Sequence, residues 1–164
     1  MEAAGLDAAG PNVNGFSIPT RGTAGKRLSF SVSPGLDVWS TLSGAPHWFF
    51  GDGASASGTT VTHVFRAGSY NVTVSQADRV GNQTSAHGTV TISPAPCVVP
   101  RVLGLTLVRA RAAIKRRHCR AGRVVRAFSK KVTKGRVLAQ RPRAGKHLAP
   151  GARVKLVVSR GKRR

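Results

Sequence analysis

The chain has 164 residues, with 27 Lys and Arg against 5 Asp and Glu, a formal net charge of +22. That length suits one or two small domains. No run approaches the ~18–20 uncharged apolar residues of a membrane span. The five acidic residues leave few candidates for paired-carboxylate chemistry. We therefore expect a binding or structural chain and no enzyme, with no catalytic residue and no cofactor.

The charge is divided unevenly along the chain. Residues 1–96 carry five basic and five acidic residues, so their net charge is zero, whereas residues 97–164 carry the other 22 basic residues and no acidic one. Such an asymmetry predicts two units with different surfaces. The predicted divisions are a flexible lead-in over 1–10, a first domain over 11–94, a linker over 95–96, a second domain over 97–161 and a basic tail over 162–164.

Short runs in the first domain alternate apolar with polar residues. This period of two is typical of half-buried strands, and Gly, Pro and Asn residues separate the runs. The pattern predicts an antiparallel β-sandwich, with Trp48 anchoring the two sheets and Tyr70 as a corner tyrosine. The strand runs fall at 28–32, 61–65, 70–74 and 90–92.

Four motifs in this order resemble a PKD domain over residues 14–93. They are WFFGDG (48–53), VTHVF (61–65), GSYNVTV (68–74) and DRVGN (78–82). The resemblance implies an Ig-like β-sandwich, usually found outside the cell as a spacer or a contact module.

The GDG turn at 51–53 has two interpretations. Asp52 could be a calcium ligand, but calcium takes six to eight oxygen ligands and one Asp is not a site. The alternative is a tight turn in which Asp52 accepts backbone N–H groups, and the sequence favours it. His63, on an inward-facing strand position, is expected to be a hydrogen-bonded core residue.

The second domain has a different periodicity. Thr106 is a predicted N-cap of a helix that runs to about residue 118, with apolar residues on one stripe and cations on the rest. Three strand-like runs follow, which predicts one helix packed on a three-stranded sheet, a compact α+β unit. The stripe consists of Leu107, Ala110, Ala113 and Ile114, and the runs are 122–128, 136–141 and 153–159.

This second domain resembles a PASTA domain over residues 97–161. The matching motifs are VPRVLGL (99–105), ARAAI (110–114), GRV (122–124), GRVLAQRPRAG (135–145) and PGARVKLVVSRG (150–161). The resemblance implies the extracellular part of bacterial penicillin-binding proteins or membrane Ser/Thr kinases and an association with peptidoglycan fragments. Since this copy has no acidic residue, its charge favours a general adhesion to anionic polymers.

Cys97 and Cys119 are the only cysteines. Their spacing is unlike any CxxC or zinc motif, so we expect no metal site. A disulfide would tie the helix to the segment before it and indicate an oxidising compartment. Two buried free thiols are the alternative.

The basic surface is the predicted binding surface. We expect it to contact peptidoglycan or an anionic cell-wall polymer, because Arg side chains bind carboxylates and phosphates through paired hydrogen bonds. A merely solvated basic face is the alternative. Other surface proteins are further possible partners. The helix-face cations predicted to contribute are Arg109, Lys115, Arg116 and Arg117.

Two other function classes stay open from the sequence. A basic half fits nucleic acid, but its one aromatic residue, Phe128, offers no stacking platform, so specific nucleic-acid binding is not expected. The chain also fits the C-terminal accessory part of a larger secreted enzyme. We expect an extracellular or cell-wall location and, because no export signal is present, a fragment or a misassigned start.

Overall fold

The computed structural model describes residues 11–34 and 42–163. The chain divides into two compact units, Met1–Pro94 and Ala95–Arg164. The lead-in predicted over 1–10 lies outside the described residues, as does the last residue of the basic tail. Each unit has its own cluster of buried apolar side chains, and the two clusters share no residue.

Two sheets form the first unit. One has three strands in the order β1-β3-β6, and the other has five in the order β2-β8-β7-β4-β5. The predicted β-sandwich is thereby confirmed. The strands are β1 (Val13–Ser17), β2 (Arg21–Thr23), β3 (Arg27–Pro34), β4 (Leu42–Phe49), β5 (Ser55–Ser57), β6 (Thr60–Val64), β7 (Gly68–Asp78) and β8 (Gln83–Ser93).

One pairing departs from the predicted antiparallel order. β2 pairs with β8 in parallel, with Arg21 opposite Thr91 and Thr23 opposite Ser93. A strand of three residues has too short an alternation for its presence or direction to be predicted from sequence.

The sandwich core is aromatic at its centre. Trp48 is fully buried on β4 and donates from Nε1 to the carbonyl of Gly58 at 2.9 Å. Phe30, from the other sheet, lies 5.9 Å from Trp48 and 5.4 Å from Phe50, measured between ring centroids. Alternation on β7 and β8 adds four buried aliphatic residues to this core, and β3 and β6 add two more. They are Val72, Val74, Val90, Ile92, Val32 and Val61.

Two local contacts fix the ends of β4 and β7. The Tyr70 hydroxyl donates to the carbonyl of Arg66 at 3.2 Å, as expected of a corner tyrosine. Gly51 has φ +75°, and a Cβ there would lie 2.5 Å from the carbonyl oxygen of Asn71. Only glycine combines this backbone conformation with so close an approach.

The second unit is one helix on a three-stranded sheet in the order β10-β13-β11, with a separate two-stranded β9-β12 pair. The predicted α+β architecture is confirmed, while the short β9-β12 pair was not predicted. β10 and β13 run parallel, and β11 and β13 run antiparallel. The elements are β9 (Cys97–Val98), α1 (Leu107–Arg116), β10 (Arg120–Ala127), β11 (Val137–Arg141), β12 (His147–Leu148) and β13 (Arg153–Ser159).

Helix α1 begins where the sequence predicts and ends slightly earlier. The Thr106 hydroxyl accepts the N–H of Arg109 at 3.4 Å, which satisfies one of the free donors of the first turn. Ala110 and Ile114 are fully buried against the sheet. The last helical residue is Arg116, and His118 has φ +56°, a left-handed conformation that ends the helix.

Candidate functional site

A basic cleft lies beside the C-terminal end of α1. It has a volume of about 680 Å³. Three arginines line it, and apolar side chains and a turn complete its walls. The lining residues include Arg101, Arg116, Arg117, Val98, Pro100 and Ala113.

Backbone hydrogen bonds hold the walls of this cleft together. The N–H of Val98 donates to the carbonyl of Arg117 at 3.2 Å, which joins β9 to the end of the helix. On the other side, the N–H of Val99 donates to the carbonyl of Lys146 at 2.9 Å, and the N–H of Gly145 donates to the carbonyl of Val99 at 2.8 Å. The cleft is therefore built on paired backbone, which favours a fixed shape.

A disulfide closes the same region covalently. Cys97 and Cys119 are joined with an S–S distance of 2.02 Å, and both residues are buried. Cys97 opens β9, and Cys119 follows the helix. The bridge thus ties together the two segments that carry Arg101 and Arg117.

The amide of Gln140 positions Arg101. Its Oε1 accepts the N–H of Val102 at 2.8 Å, and its Nε2 donates to the carbonyl of Pro100 at 2.9 Å. Both backbone groups flanking Arg101 are thereby bound to one side chain. Arg101 also lines a neighbouring cleft of about 500 Å³ together with Arg143.

The predicted binding residues separate into two groups. Arg116 and Arg117 line the basic cleft, whereas Arg109 and Lys115 are exposed on the helix and do not line it. The sequence did not predict Arg101 as a binding residue. It lies far from the helix end along the chain and is brought there by the disulfide and by the pairing of β9, neither of which helical periodicity reveals.

The second unit has no acidic side chain of its own to pair with its cations. Residues 97–164 contain no Asp or Glu, and within 11–34 and 42–163 no Lys or Arg forms an ion pair. A guanidinium carries five N–H donors in a fixed fork. The arginines of the cleft are therefore available for anionic groups of a ligand.

In the GDG turn of the sandwich, the Asp52 side chain forms hydrogen bonds with neighbouring residues. Asp52 Oδ1 accepts the N–H of Ala54 at 3.1 Å, and His63 Nε2 donates to Asp52 Oδ2 at 2.7 Å. The His63 ring stacks on Phe50 with 4.2 Å between centroids. Among the described residues no group of three His, Cys, Asp or Glu could hold a metal ion. The hydrogen bond from the Ala54 N–H makes Asp52 a cap of this turn, the arrangement that the sequence favoured.

Two carboxylates of the sandwich have pKa values below their ordinary value of 3.8. Burial raises the pKa of Asp52, but the hydrogen bonds from His63 and from the Ala54 N–H lower it further than burial raises it. Burial likewise raises the pKa of Asp78, and hydrogen bonds from Asn82 and from the N–H of Val80 lower it below 3.8.

These shifts predict acid sensitivity of the sandwich. A carboxylate whose pKa is lower in the folded state stabilises the fold above its unfolded pKa, and this stability is lost as pH falls. We expect the free energy of unfolding to decrease as the pH drops through 3.8. The variant Asp52→Asn should be less stable at pH 7, by about 1 kcal/mol, and should lose less stability between pH 7 and pH 3 than the wild type.

Urea unfolding at both pH values, followed by tryptophan fluorescence, measures this difference. Both tryptophans lie in the first unit by sequence, so the fluorescence reports the unfolding of the sandwich. The second unit has no side-chain carboxylate and therefore adds no carboxylate titration of its own. An identical loss of stability in wild type and variant would show that Asp52 makes no contribution.

Family models match both units. The PKD domain model matches residues 8–93, more than half of the chain. The chain belongs to the PKD domain family. The PASTA domain model matches residues 98–160, so a PASTA domain follows the PKD domain, in the predicted order. Both are non-catalytic binding modules that typically belong to extracellular regions.

The PASTA domain is similar to part of a known protein. Over 63 residues it is 38% identical to a probable serine/threonine-protein kinase of Clostridium acetobutylicum, a match that covers 38% of this chain and 10% of the kinase. The chain therefore spans about a tenth of that relative. No helix among the described residues has the length and apolar character to cross a bilayer.

Two solved structures are similar to this chain over part of its length. The extracellular region of the Ser/Thr kinase PrkC from Staphylococcus aureus matches with 20% identity and a TM-score of 0.39, over 47% of this chain and 27% of that one. Carbohydrate-binding modules of the β-sandwich superfamily match with 23% identity and a TM-score of 0.47, over 58% and 38%. At these scores neither likeness carries a ligand over to the PKD–PASTA chain.

Proposed function

We propose that this chain is an extracellular, cell-wall-associated binding protein whose PASTA domain contacts peptidoglycan or its anionic polymers. The basic cleft of Arg101, Arg116 and Arg117 makes the contact. The PKD domain, with no net charge over residues 1–96, acts as a spacer or contact scaffold. The observation that carries the proposal is the convergence of three arginines in one cleft of a unit without acidic residues.

Electrostatics favours an anionic polymer as the ligand. Neighbouring cations repel one another, and this repulsion is strongest at low salt. Wall polymers carry repeated carboxylates and phosphates, so one chain can neutralise several cations at once. Arg binds such groups through two parallel hydrogen bonds. The apolar wall provided by Val98, Pro100 and Ala113 lowers the local dielectric and strengthens these bonds.

The test is a pull-down of the full chain with purified peptidoglycan, with and without its covalently attached anionic polymers. The triple variant Arg101→Gln, Arg116→Gln, Arg117→Gln is expected to bind at least about tenfold more weakly, since a single charged hydrogen bond is worth ~1.5–3 kcal/mol. Wild-type binding is expected to fall steeply as salt is raised from 50 to 500 mM.

A matched control loses the same charge elsewhere. The variant Arg109→Gln, Arg111→Gln, Arg126→Gln removes three exposed arginines that do not line the cleft. It should bind more tightly than the cleft variant at every salt concentration. Equal weakening by both variants, salt-independent binding, or stronger retention on double-stranded DNA than on wall material would each contradict the proposal.

A further inference from the structure

The three-stranded sheet of the PASTA domain has a second face, opposite the helix. Val154 and Leu156 of β13 are buried in the cluster that contains Ala110 and Ile114 of α1. Because side chains alternate along a strand, Lys155 and Val157 point to the other face.

Two rows of side chains cross this second face. Val157 is the register partner of Val125 on β10 and of Ala139 on β11, so these three form an apolar row. Lys155 is the partner of Arg141, and Arg123 precedes Val125 by two residues on β10. The cationic row formed by Arg123, Lys155 and Arg141 therefore lies beside the apolar row.

The two rows line one groove of about 310 Å³. They lie two residues apart along the strands, which corresponds to roughly 7 Å at the usual rise of a strand. The groove thus offers positive charge at one end and aliphatic carbon at the other. This size lies at the lower end of small-molecule sites.

This face carries two energetic costs, the repulsion between like charges and the exposure of apolar area. Lys155 and Arg141 are like charges directly opposite each other on neighbouring strands, an arrangement that destabilises a sheet. All three cations are exposed, and none of them has an ion-pair partner among the residues that the structure describes. Val125, beside them, is 45% exposed. A ligand that joins an anion to an apolar group would offset both costs.

We propose that this groove binds a small amphipathic anion, a carboxylate or phosphate monoester attached to an aliphatic or aromatic group. The anionic group lies between Lys155, Arg141 and Arg123, and the apolar group covers Val125 and Val157. This ligand class differs from the wall polymer assigned to the basic cleft, since its apolar group covers Val125 and Val157, which a polyanion would leave exposed. None of the groove residues lines that cleft.

Isothermal titration calorimetry of the full chain with three probes distinguishes the contribution of the cationic row to binding from that of the apolar row. Hexyl phosphate carries both groups, inorganic phosphate carries only the charge, and hexanol carries only the alkyl chain. We expect hexyl phosphate to bind about tenfold more tightly than phosphate, and hexanol not to bind. Equal affinities for hexyl phosphate and phosphate, or no binding of hexyl phosphate at millimolar concentration, would overturn the proposal.

Substitutions assign the binding to the groove. Val125→Ser is expected to abolish the preference for hexyl phosphate over phosphate, and Lys155→Gln to weaken both anions about tenfold. The matched controls are Val108→Ser, on an exposed helix position, and Lys130→Gln, on an exposed loop. Both should leave the affinities unchanged, and controls that weaken binding as much as the groove variants would refute the assignment.

Two further measurements keep the result interpretable. All four substituted side chains are exposed, so we expect every variant to fold. Thermal unfolding of each variant verifies that the PASTA domain is folded. The cleft variant of Arg101, Arg116 and Arg117 is expected to keep its affinity for hexyl phosphate. The groove proposal can therefore be refuted while the wall-binding proposal holds, and the wall-binding proposal can be refuted while the groove proposal holds. Loss of hexyl phosphate binding in the cleft variant would place the ligand in the cleft and refute the groove.

Discussion

Trp48→Ala is expected to lower the free energy of unfolding of the PKD domain by about 3–5 kcal/mol, the usual cost of removing a fully buried large aromatic side chain. Trp48 is fully buried, faces Phe30 across the two sheets and satisfies the carbonyl of Gly58. Truncation leaves a cavity between the sheets and an unpaired carbonyl. This loss is comparable with the whole stability of a small domain, ~5–15 kcal/mol.

Differential scanning calorimetry of the full chain measures the effect. The transition of the PKD domain should move to lower temperature, while that of the PASTA domain should not move, because their apolar clusters share no residue. The neighbouring Phe49 is the matched control, since it lies on the same strand but is 51% exposed. Phe49→Ala should cost less than about 1 kcal/mol, and an equal cost for both substitutions would refute the anchoring role of Trp48.

Much of the fold could be predicted because its long elements have strong periodicity. On β7 and β8 the alternating residues Val72, Val74, Val90 and Ile92 are buried, so over these runs the period of two identifies both the strand and its inward face. In α1 the residues Ala110 and Ile114 are buried, as the helical stripe predicts. These signals are local, and each is carried by a run of contiguous residues.

What could not be predicted depends on contacts distant in sequence. β2 and β5 have three residues each and β9 has two, which is too few for periodicity to show. β2 pairs with β8 and β9 pairs with β12, both far along the chain, and the segment of Arg101 is likewise separated from the end of α1. The helical pattern therefore identified Arg116 and Arg117 of the cleft but not Arg101, and it included Arg109 and Lys115, which do not line the cleft.

Stability of the basic cleft should depend on its disulfide. The double variant Cys97→Ala, Cys119→Ala is expected to lower the free energy of unfolding of the PASTA domain by ~3 kcal/mol, the chain-entropy contribution of a loop closed across a sequence separation of 22. Ala is chosen because both cysteines are buried. In a domain of this size one core supplies little surplus stability, so the loss is a large share of the total.

The same substitution should weaken binding to peptidoglycan more than it weakens binding of hexyl phosphate. Arg101 and Arg117 lie four and two residues from the bridged cysteines, whereas the groove of Val125 and Lys155 lies on the far face of the sheet. Wild-type protein in reductant should match the double variant in thermal unfolding. Two reactive thiols in wild-type protein denatured without reductant, or an unchanged unfolding temperature in the double variant, would refute the bridge as the support of the cleft.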